Sequence, residues 1–211
     1  MKLAVLGAAG RTGRLVTDLA LAAGHTVTAV VRDPARLPAF THGTPHAVRA
    51  DVHDPGSLLD PLTGQDAVIA TLGTTGRAAT TVFSDAARQL ADAAAGGGAR
   101  RILVMSSAGL ETAHLPFAQR MVSRLVVDRL YREIHHDLAR MEDLLTASTA
   151  DWTVLRVPLL KDGPASPTPR TAVDRPLPRA GTATRATVAT WLVHHLDAPD
   201  TVHHRITLAD A

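Results

Sequence analysis

Three glycines near the start of the chain have the spacing of a turn that binds a diphosphate. Gly7, Gly10 and Gly13 follow an apolar run and precede a stretch with helical periodicity. In such a turn the first glycine permits the tight bend, the second lets the backbone approach a pyrophosphate, and the third lets the helix pack on the strand. The backbone N–H groups of Arg11 and Thr12 then face the anion at the positive end of the helix. The motif predicts a dinucleotide site; the alternative is a βα turn whose glycines serve geometry alone.

The end of the second predicted strand carries a guanidinium group where an acidic residue would select NAD. An acid there accepts a hydrogen bond from the ribose 2′-OH and repels a 2′-phosphate. This sequence has Arg32, with Arg36 four residues on, and Arg11 can join them around a dianionic phosphate. Asp33 is expected to cap a short turn before Pro34. The pattern favours NADP(H) as the cofactor, and the alternative is that the arginines only solvate the surface.

A serine at the end of the fifth predicted strand is the candidate catalytic donor. Hydride transfer requires the protein to hold an acceptor against the nicotinamide and to aim hydrogen-bond donors at the charge that develops on it. Ser107 stands where such a donor is needed. The alternative is a small polar residue that caps the strand end.

Two histidine pairs, at 194–195 and 203–204, raise the question of a metal site. Adjacent helical residues point about 100° apart, so one ion is not easily bound by both members of a pair. Because the chain has no Cys, thiolate zinc sites, disulfide scaffolds and cysteine nucleophiles are excluded. We predict no metal.

Length and charge restrict the remaining function classes. The chain has 211 residues and a formal net charge of +2, so one compact unit is expected and nucleic acid is not an expected partner. The opening apolar run stops at Gly7, and no later run approaches the ~18 apolar residues of a membrane span. We expect a soluble cytoplasmic protein that binds a small-molecule substrate, with no nucleic acid or membrane as a partner.

Strand-like and helix-like segments alternate along the chain, which is typical of right-handed βαβ crossovers. The predicted fold is α/β, a Rossmann-like doubly wound parallel sheet with a small C-terminal cap. The predicted strands are 2–6, 26–31, 47–50, 67–71, 101–105, 152–157 and 205–208, and the predicted helices include 11–23, 80–95, 117–146 and 184–196.

The C-terminal quarter is expected to form the cap. Residues 1–157 are predicted to be the nucleotide-binding domain, and 158–211 the cap and closing helix and strand of the same compact unit. The proline-rich stretch 162–170 predicts an extended loop, and the whole loop 158–183 would shape selectivity.

The long predicted helix, 117–146, carries an apolar stripe that fits either a homodimer or a face buried within a monomer. Its acidic residues Asp128, Asp137 and Glu142 are predicted on the outer face or at the ends. Trp152 is expected to pack beside the sheet, and Trp191 to anchor the last helix.

Seven segments together resemble one known family. The chain is similar to the atypical short-chain dehydrogenase/reductase superfamily, within it the NAD(P)H-binding, NmrA-like proteins, and most to their flavin reductase/biliverdin-IXβ reductase branch. The resemblance is dense to about residue 109, resumes at 140–164 and thins in the last third. The segments are the glycine turn at 7–13, Val-Val-Arg-Asp-Pro-Ala-Arg-Leu-Pro at 30–38, Ala-Asp-Val at 50–52, Gly-Gln-Asp-Ala-Val-Ile at 64–69, Leu-Gly-Thr at 72–74, Met-Ser-Ser-Ala-Gly at 105–109 and Asp-Trp-Thr-Val-Leu-Arg at 151–156.

The resemblance implies a role for each cofactor-binding position. Arg32 and Arg36 would hold the 2′-phosphate, and Asp51 and Val52 would flank the adenine. Three residues would follow the cofactor toward the nicotinamide, and two serines would lie beside its ring: Leu72, Gly73, Thr74, Ser106 and Ser107. All of these segments follow strands, and in an open parallel sheet the ligand lies across the carboxyl ends of the strands.

The catalytic pair of the classical superfamily is absent. Tyr131, the only tyrosine, is followed four residues on by His135 instead of Lys, and it lies 24 residues past Ser107. Leu138 and Leu159 occupy the positions of the histidines that the flavin reductase branch carries near its substrate.

Two neighbouring histidines are candidates to replace, in part, the histidines that the flavin reductase branch carries near its substrate. His135 shares a helix face with Leu138, so His135 and His136 are candidate replacements; solvent-facing side chains are the alternative. The resemblance implies NADPH-dependent hydride transfer to a conjugated acceptor such as a flavin, quinone or tetrapyrrole, and the alternative is a non-catalytic NADP(H) sensor.

Overall fold

The computed structural model describes residues 1–74, 76, 78–110 and 128–211. The strands are β1 (Lys2–Leu6), β2 (Thr26–Val31), β3 (His46–Arg49), β4 (Ala67–Ala70), β5 (Arg101–Ser107), β6 (Asp151–Val157), β7 (Leu159–Lys161), β8 (Arg170–Val173), β9 (Thr182–Thr184) and β10 (His204–Ala209). The helices are α1 (Gly13–Ala22), α2 (Leu59–Leu62), α3 (Val82–Ala95), α4 (Asp128–Thr146) and α5 (Arg185–His194), with short 3₁₀ turns at Pro34–Arg36, Ala108–Leu110 and Pro199–Thr201.

Eight strands form one sheet in the order β3-β2-β1-β4-β5-β6-β10-β8. All neighbours are parallel except β8, which runs antiparallel to β10 at the edge. The chain starts in the middle, winds out to β3 and returns to β4, so the direction of winding reverses between β1 and β4. This is the switch point at which open α/β sheets bind ligands. The predicted Rossmann-like doubly wound fold is confirmed.

Helices cover both faces of the sheet, as buried parallel strands require. Side chains alternate along each strand, so neighbouring residues enter different cores. Leu90, Met141 and Leu145 of α3 and α4 pack on one face against Leu6 and Val104. The other core, under α1 and α5, is formed by side chains that include Val16, Leu192, Val5, Leu103 and Leu155. Both tryptophans are buried, Trp152 in the first core and Trp191 in the second, as predicted.

The expectation of an uninterrupted loop over 158–183 is wrong. The proline-rich part, 162–169, is irregular as predicted, but β7 precedes it and β8 follows it. Arg170–Val173 lies beyond the last of these prolines, so its backbone can pair antiparallel with β10. β7 pairs in parallel with β9 in a separate two-stranded sheet.

Two of the acidic residues predicted on the outside of the long helix are buried, so that prediction is wrong. Asp137 is 0% exposed and accepts hydrogen bonds from the Phe83 amide at 2.9 Å and the Ser84 hydroxyl at 2.5 Å. Asp137 therefore caps α3 from another helix, because the first amides of a helix lack partners of their own. Glu142 is 3% exposed and pairs with arginines. The side chain of Asp128 and residues 117–127 of the predicted helix lie outside the described residues.

No helix in the described ranges is both long and apolar enough to cross a bilayer.

Candidate functional site

The glycine turn after β1 is closed by contacts that leave no room for side chains. Gly7 has φ of +80°, a conformation that glycine adopts without strain. The Gly10 amide donates to the Gly7 carbonyl at 2.8 Å. A Cβ on Gly13 would lie 2.1 Å from the Gly7 oxygen and 2.7 Å from Thr71 Oγ1. The third glycine therefore serves close packing of α1 on the sheet, as predicted from its spacing.

The start of α1 is chemically suited to an anion. Within the described residues, the N-cap Thr12 makes no side-chain capping bond, and the first turn carries no acidic residue. Among the described residues, no atom accepts a hydrogen bond from the backbone amides of Arg11 and Thr12. Such amides at a helix N-terminus carry partial positive charge. The turn formed by residues 7–13, which we call the cradle, has no side chains at its glycines and fits a diphosphate.

The arginines at the end of β2 are exposed beside this turn. Arg32 follows β2 directly, and Arg36 ends the 3₁₀ turn that begins at Pro34. The Asp33 carboxylate accepts from the Ala35 amide at 3.1 Å, so it caps this turn as predicted. The sequence had grouped Arg11 with these arginines, but the structure pairs Arg11 with Asp162, in the segment after β7.

The segment after β3 is held by a residue that the sequence analysis missed. The buried Gln89 of α3 donates to the carbonyls of Val52 at 2.7 Å and Asp54 at 3.1 Å. The Ser57 hydroxyl donates to the Asp51 carbonyl at 2.5 Å. Gln89 thus fixes the backbone of the predicted adenine-binding segment. A lone glutamine in an amphipathic helix carries no sequence signal for this role.

The segment after β4 runs beside the glycine turn. Thr71 joins the two, because its amide donates to the Leu6 carbonyl at 3.0 Å. Leu72 is partly buried, and a Cβ on Gly73 would meet no described atom within 4 Å. Thr74 donates through its hydroxyl to the Gly76 carbonyl at 3.1 Å. Leu72 to Thr74 therefore continue the edge of the sheet from the glycine turn toward β5.

The two candidate catalytic residues meet. Ser107 Oγ, at the end of β5, lies 3.2 Å from Nε2 of the half-buried His135 on α4. The same oxygen accepts a hydrogen bond from the Gly109 amide at 3.1 Å. The ring of Tyr131 stacks on His135 with centroids 6.4 Å apart. Because the Gly109 amide donates to one lone pair of Ser107 Oγ, the proton of the serine hydroxyl is available to His135 or to a ligand.

Gly109 permits this pairing and was not singled out by the sequence analysis. A Cβ there would lie 2.9 Å from His135 Cε1 and 3.1 Å from both His135 Nε2 and Ser107 Oγ. The only sequence signal was a glycine two residues after the serine. His136, the other candidate, is exposed.

Ser106, which the resemblance placed beside the nicotinamide ring, belongs to a buried ionic network. It is 5% exposed and donates to Glu142 Oε1 at 2.6 Å. Arg156 Nη2 and Arg205 Nε donate to the other carboxylate oxygen at 2.7 and 2.9 Å. Burial acts to raise the pKa of Glu142, but hydrogen bonds from Arg156 and Ser106 lower it below its usual value. The network braces β5, β6 and β10 behind the site.

The two leucines that the sequence analysis aligned with histidines of the flavin reductase branch differ in their surroundings. Leu138 is 6% exposed and belongs to the core, whereas Leu159 is 75% exposed at the start of β7. In the described ranges, no group of three potential ligands among His, Asp and Glu comes close enough to hold a metal ion.

A family model described as NAD(P)H-binding matches residues 7–199, nearly the whole chain. The chain belongs to this NAD(P)H-binding family. The predicted membership of the NAD(P)H-binding family is thereby confirmed.

Solved structures of similar proteins agree with the fold of this NAD(P)H-binding protein. They include the oxidoreductase ylbE from Lactococcus lactis, 19% identical with a TM-score of 0.81 over 100% of this chain and 91% of that one. A short-chain dehydrogenase/reductase from Veillonella parvula in complex with NADP is 18% identical, with a TM-score of 0.81 over 99% and 94%. ChuY, an anaerobillin reductase from Escherichia coli O157:H7, is 21% identical, with a TM-score of 0.79 over 100% and 97%.

Proposed function

We propose that this NAD(P)H-binding protein is an NADPH-dependent oxidoreductase that transfers hydride to a conjugated small molecule of the flavin, quinone or tetrapyrrole class. The observation that carries the proposal is the 3.2 Å pairing of Ser107 and His135 at the carboxyl end of β5. In a doubly wound sheet, this edge is where the cofactor lies.

The cofactor preference follows from charge. The amides of Arg11 and Thr12 would receive the diphosphate, and Arg32 and Arg36 would receive the 2′-phosphate. Guanidinium groups suit a dianionic phosphate because they form paired, charge-assisted hydrogen bonds. The acidic residue next to Arg32 is Asp33, whose carboxylate already accepts from the Ala35 amide at 3.1 Å and caps the 3₁₀ turn Pro34–Arg36.

The bound cofactor supplies a hydride from the nicotinamide ring. The acceptor gains two electrons and one hydrogen in this step, so it needs one proton to become neutral. With the imidazole protonated, His135 Nε2 donates to Ser107 Oγ, and the serine hydroxyl donates to the acceptor. The proton moves along that path, and His135 regains one from water.

A conjugated acceptor suits the side chains around this path. Leu159 lies two residues beyond Val157, the strand partner of Ser107, and its 75% exposure offers an apolar contact surface. Tyr131, which stacks on His135, is 39% exposed. A flat apolar ligand covers such side chains and removes their surface from water. The name of one structural neighbour, an anaerobillin reductase, is consistent with this class.

The test is NADPH oxidation, followed by nicotinamide absorbance, with FMN, a panel of quinones and biliverdin as acceptors. We expect turnover of at least one acceptor, and we expect Ser107→Ala and His135→Gln to lower kcat while the calorimetric Kd for NADPH stays unchanged. His136→Gln is the matched control, because this neighbouring histidine is exposed. Equal rates in the wild type and in both site variants would refute the assignment.

A second candidate function is NADP(H) sensing without turnover, favoured by the missing Tyr-x-x-x-Lys pair. Tight NADPH binding with no oxidation by any acceptor in the panel would support the sensor and contradict the reductase.

A further inference from the structure

Asp162 joins the cap segment to the glycine turn. Its Oδ2 pairs with Nη2 of Arg11, and its Oδ1 accepts from Nη1 of Arg185 at 2.9 Å. The Arg185 side chain is 14% exposed, whereas those of Arg11 and Asp162 are 60% and 62% exposed. The carboxylate is therefore anchored on the nearly buried Arg185 and also pairs with the exposed Arg11 of the glycine turn.

The backbone fixes the position of this carboxylate. β7 and β9 pair in register at Lys161 and Thr184, the residues that directly precede Asp162 and Arg185. Arg185 begins α5, which packs on α1. Because α5 leads into β10, parallel to β6, both helices start at the carboxyl edge of the sheet. Asp162 thus lies where the two helix N-termini meet, beside the cradle.

We propose that Asp162 determines cofactor affinity by competing with the cofactor diphosphate for the guanidinium group of Arg11. The inference rests on the proposed cofactor function. A guanidinium binds carboxylate and phosphate through the same fork of N–H donors. Binding a nucleotide therefore exchanges one partner of Arg11 for the other, and Asp162 keeps Arg185.

The carboxylate is charged at neutral pH, so the competition operates there. Desolvation acts to raise the pKa of Asp162, but Arg11 and Arg185 lower it below its usual value. The diphosphate is the expected competitor because the Arg11 amide belongs to the cradle at the start of α1. NADH and NADPH share the diphosphate, so Asp162 affects both nucleotides alike.

Calorimetric titration with NADPH and with NADH tests the proposal in wild type, Asp162→Asn, Arg11→Ala and the double variant. Because an exposed ion pair contributes little, Asp162→Asn is expected to tighten both nucleotides by roughly 1.4- to 5-fold. In the Arg11→Ala background the same change is expected to have no effect. Asp92→Asn, which removes an exposed carboxylate on α3, is the matched control and is expected to leave affinity unchanged.

Unchanged or weaker binding by Asp162→Asn would overturn the inference, as would tightening that persists without Arg11, since that result describes a general charge effect. Tightening for NADPH alone would overturn the assignment to the diphosphate. If the wild type binds neither nucleotide, the proposed function fails; if it binds and Asp162→Asn binds equally, only this inference fails. Thermal unfolding of each variant verifies that it is folded.

Discussion

Replacing Gly109 by Ala tests whether the pairing of Ser107 with His135 supports turnover. The new methyl group would lie 2.9 Å from His135 Cε1, whereas ordinary contacts of a Cβ begin at 3.4 Å, so the ring must move by about 0.5 Å. The methyl also approaches Ser107 Oγ to 3.1 Å, so it acts as a wedge between the two groups. Gly109 does not have a positive φ, and backbone strain therefore adds nothing.

The displacement is enough to break the hydrogen bond. The Ser107–His135 distance is already 3.2 Å, and a further few tenths of an ångström take it outside hydrogen-bonding range. A positioned proton donor contributes about 10²- to 10⁴-fold to a rate. Because water can supply the proton in part, we expect kcat to fall by about tenfold, with the Kd for NADPH unchanged.

Steady-state oxidation of NADPH with the best acceptor measures kcat, and calorimetry measures the Kd. Gly96→Ala is the matched control, because its Cβ would meet its nearest neighbour at an ordinary 3.4 Å. If Gly109→Ala is folded and keeps the wild-type kcat, the relay does not operate and the reasoning is refuted.

Three further predictions concern charge. Arg32→Ala is expected to weaken NADPH by about tenfold or more and to leave NADH unchanged, since a hydrogen bond to a charged group contributes about 1.5–3 kcal/mol; calorimetry that shows an intact preference would contradict it. Glu142→Gln should lower the free energy of unfolding by about 3 kcal/mol at neutral pH, because it removes the buried carboxylate to which Arg156 and Arg205 donate. Because the pKa of Glu142 is lowered in the folded state, the carboxylate stabilises the fold above its unfolded pKa, and this stabilisation is lost as pH falls through the folded pKa. Urea unfolding should therefore show that the difference in the free energy of unfolding between wild type and Glu142→Gln becomes smaller in acid. A difference that stays constant with pH would refute the assignment. Asp137→Ala should lower the free energy of unfolding by about 2 kcal/mol, because the start of α3 loses its cap. Asp143→Ala, which removes an exposed carboxylate from α4, should have little effect. Equal losses of thermal stability in the two variants would contradict the capping role of Asp137.

The sequence predicted the parallel sheet well because buried strands and glycine turns are local signals. Gly7, Gly10 and Gly13 predicted the first βα turn. The structure gives the packing reason for the third glycine, because a Cβ on Gly13 would lie 2.1 Å from the Gly7 oxygen. The edge strand β8 was missed because a strand beside prolines forms only through pairing with β10, which is far along the chain.

The burial of Asp137 and Glu142 was missed for a related reason. A carboxylate on an amphipathic helix normally faces solvent, and only tertiary contacts with the start of α3 and with Arg156 and Arg205 reverse this. The sequence indicated Ser107 and His135 as separate candidates, the histidine from its helix position, and did not predict that they pair. Gln89, Gly109 and Asp162 act through contacts between distant segments, which residue type and spacing do not encode.

Direct titration of the purified protein with NADPH tests the central claim, that the turn after β1 is a nucleotide cradle. We predict saturable binding of one NADPH per chain, weaker binding of NADH, and loss of both in Gly13→Ala, whose Cβ would displace the Gly7 carbonyl. Absence of heat or fluorescence change with either nucleotide, from a protein shown to be folded, would contradict the account.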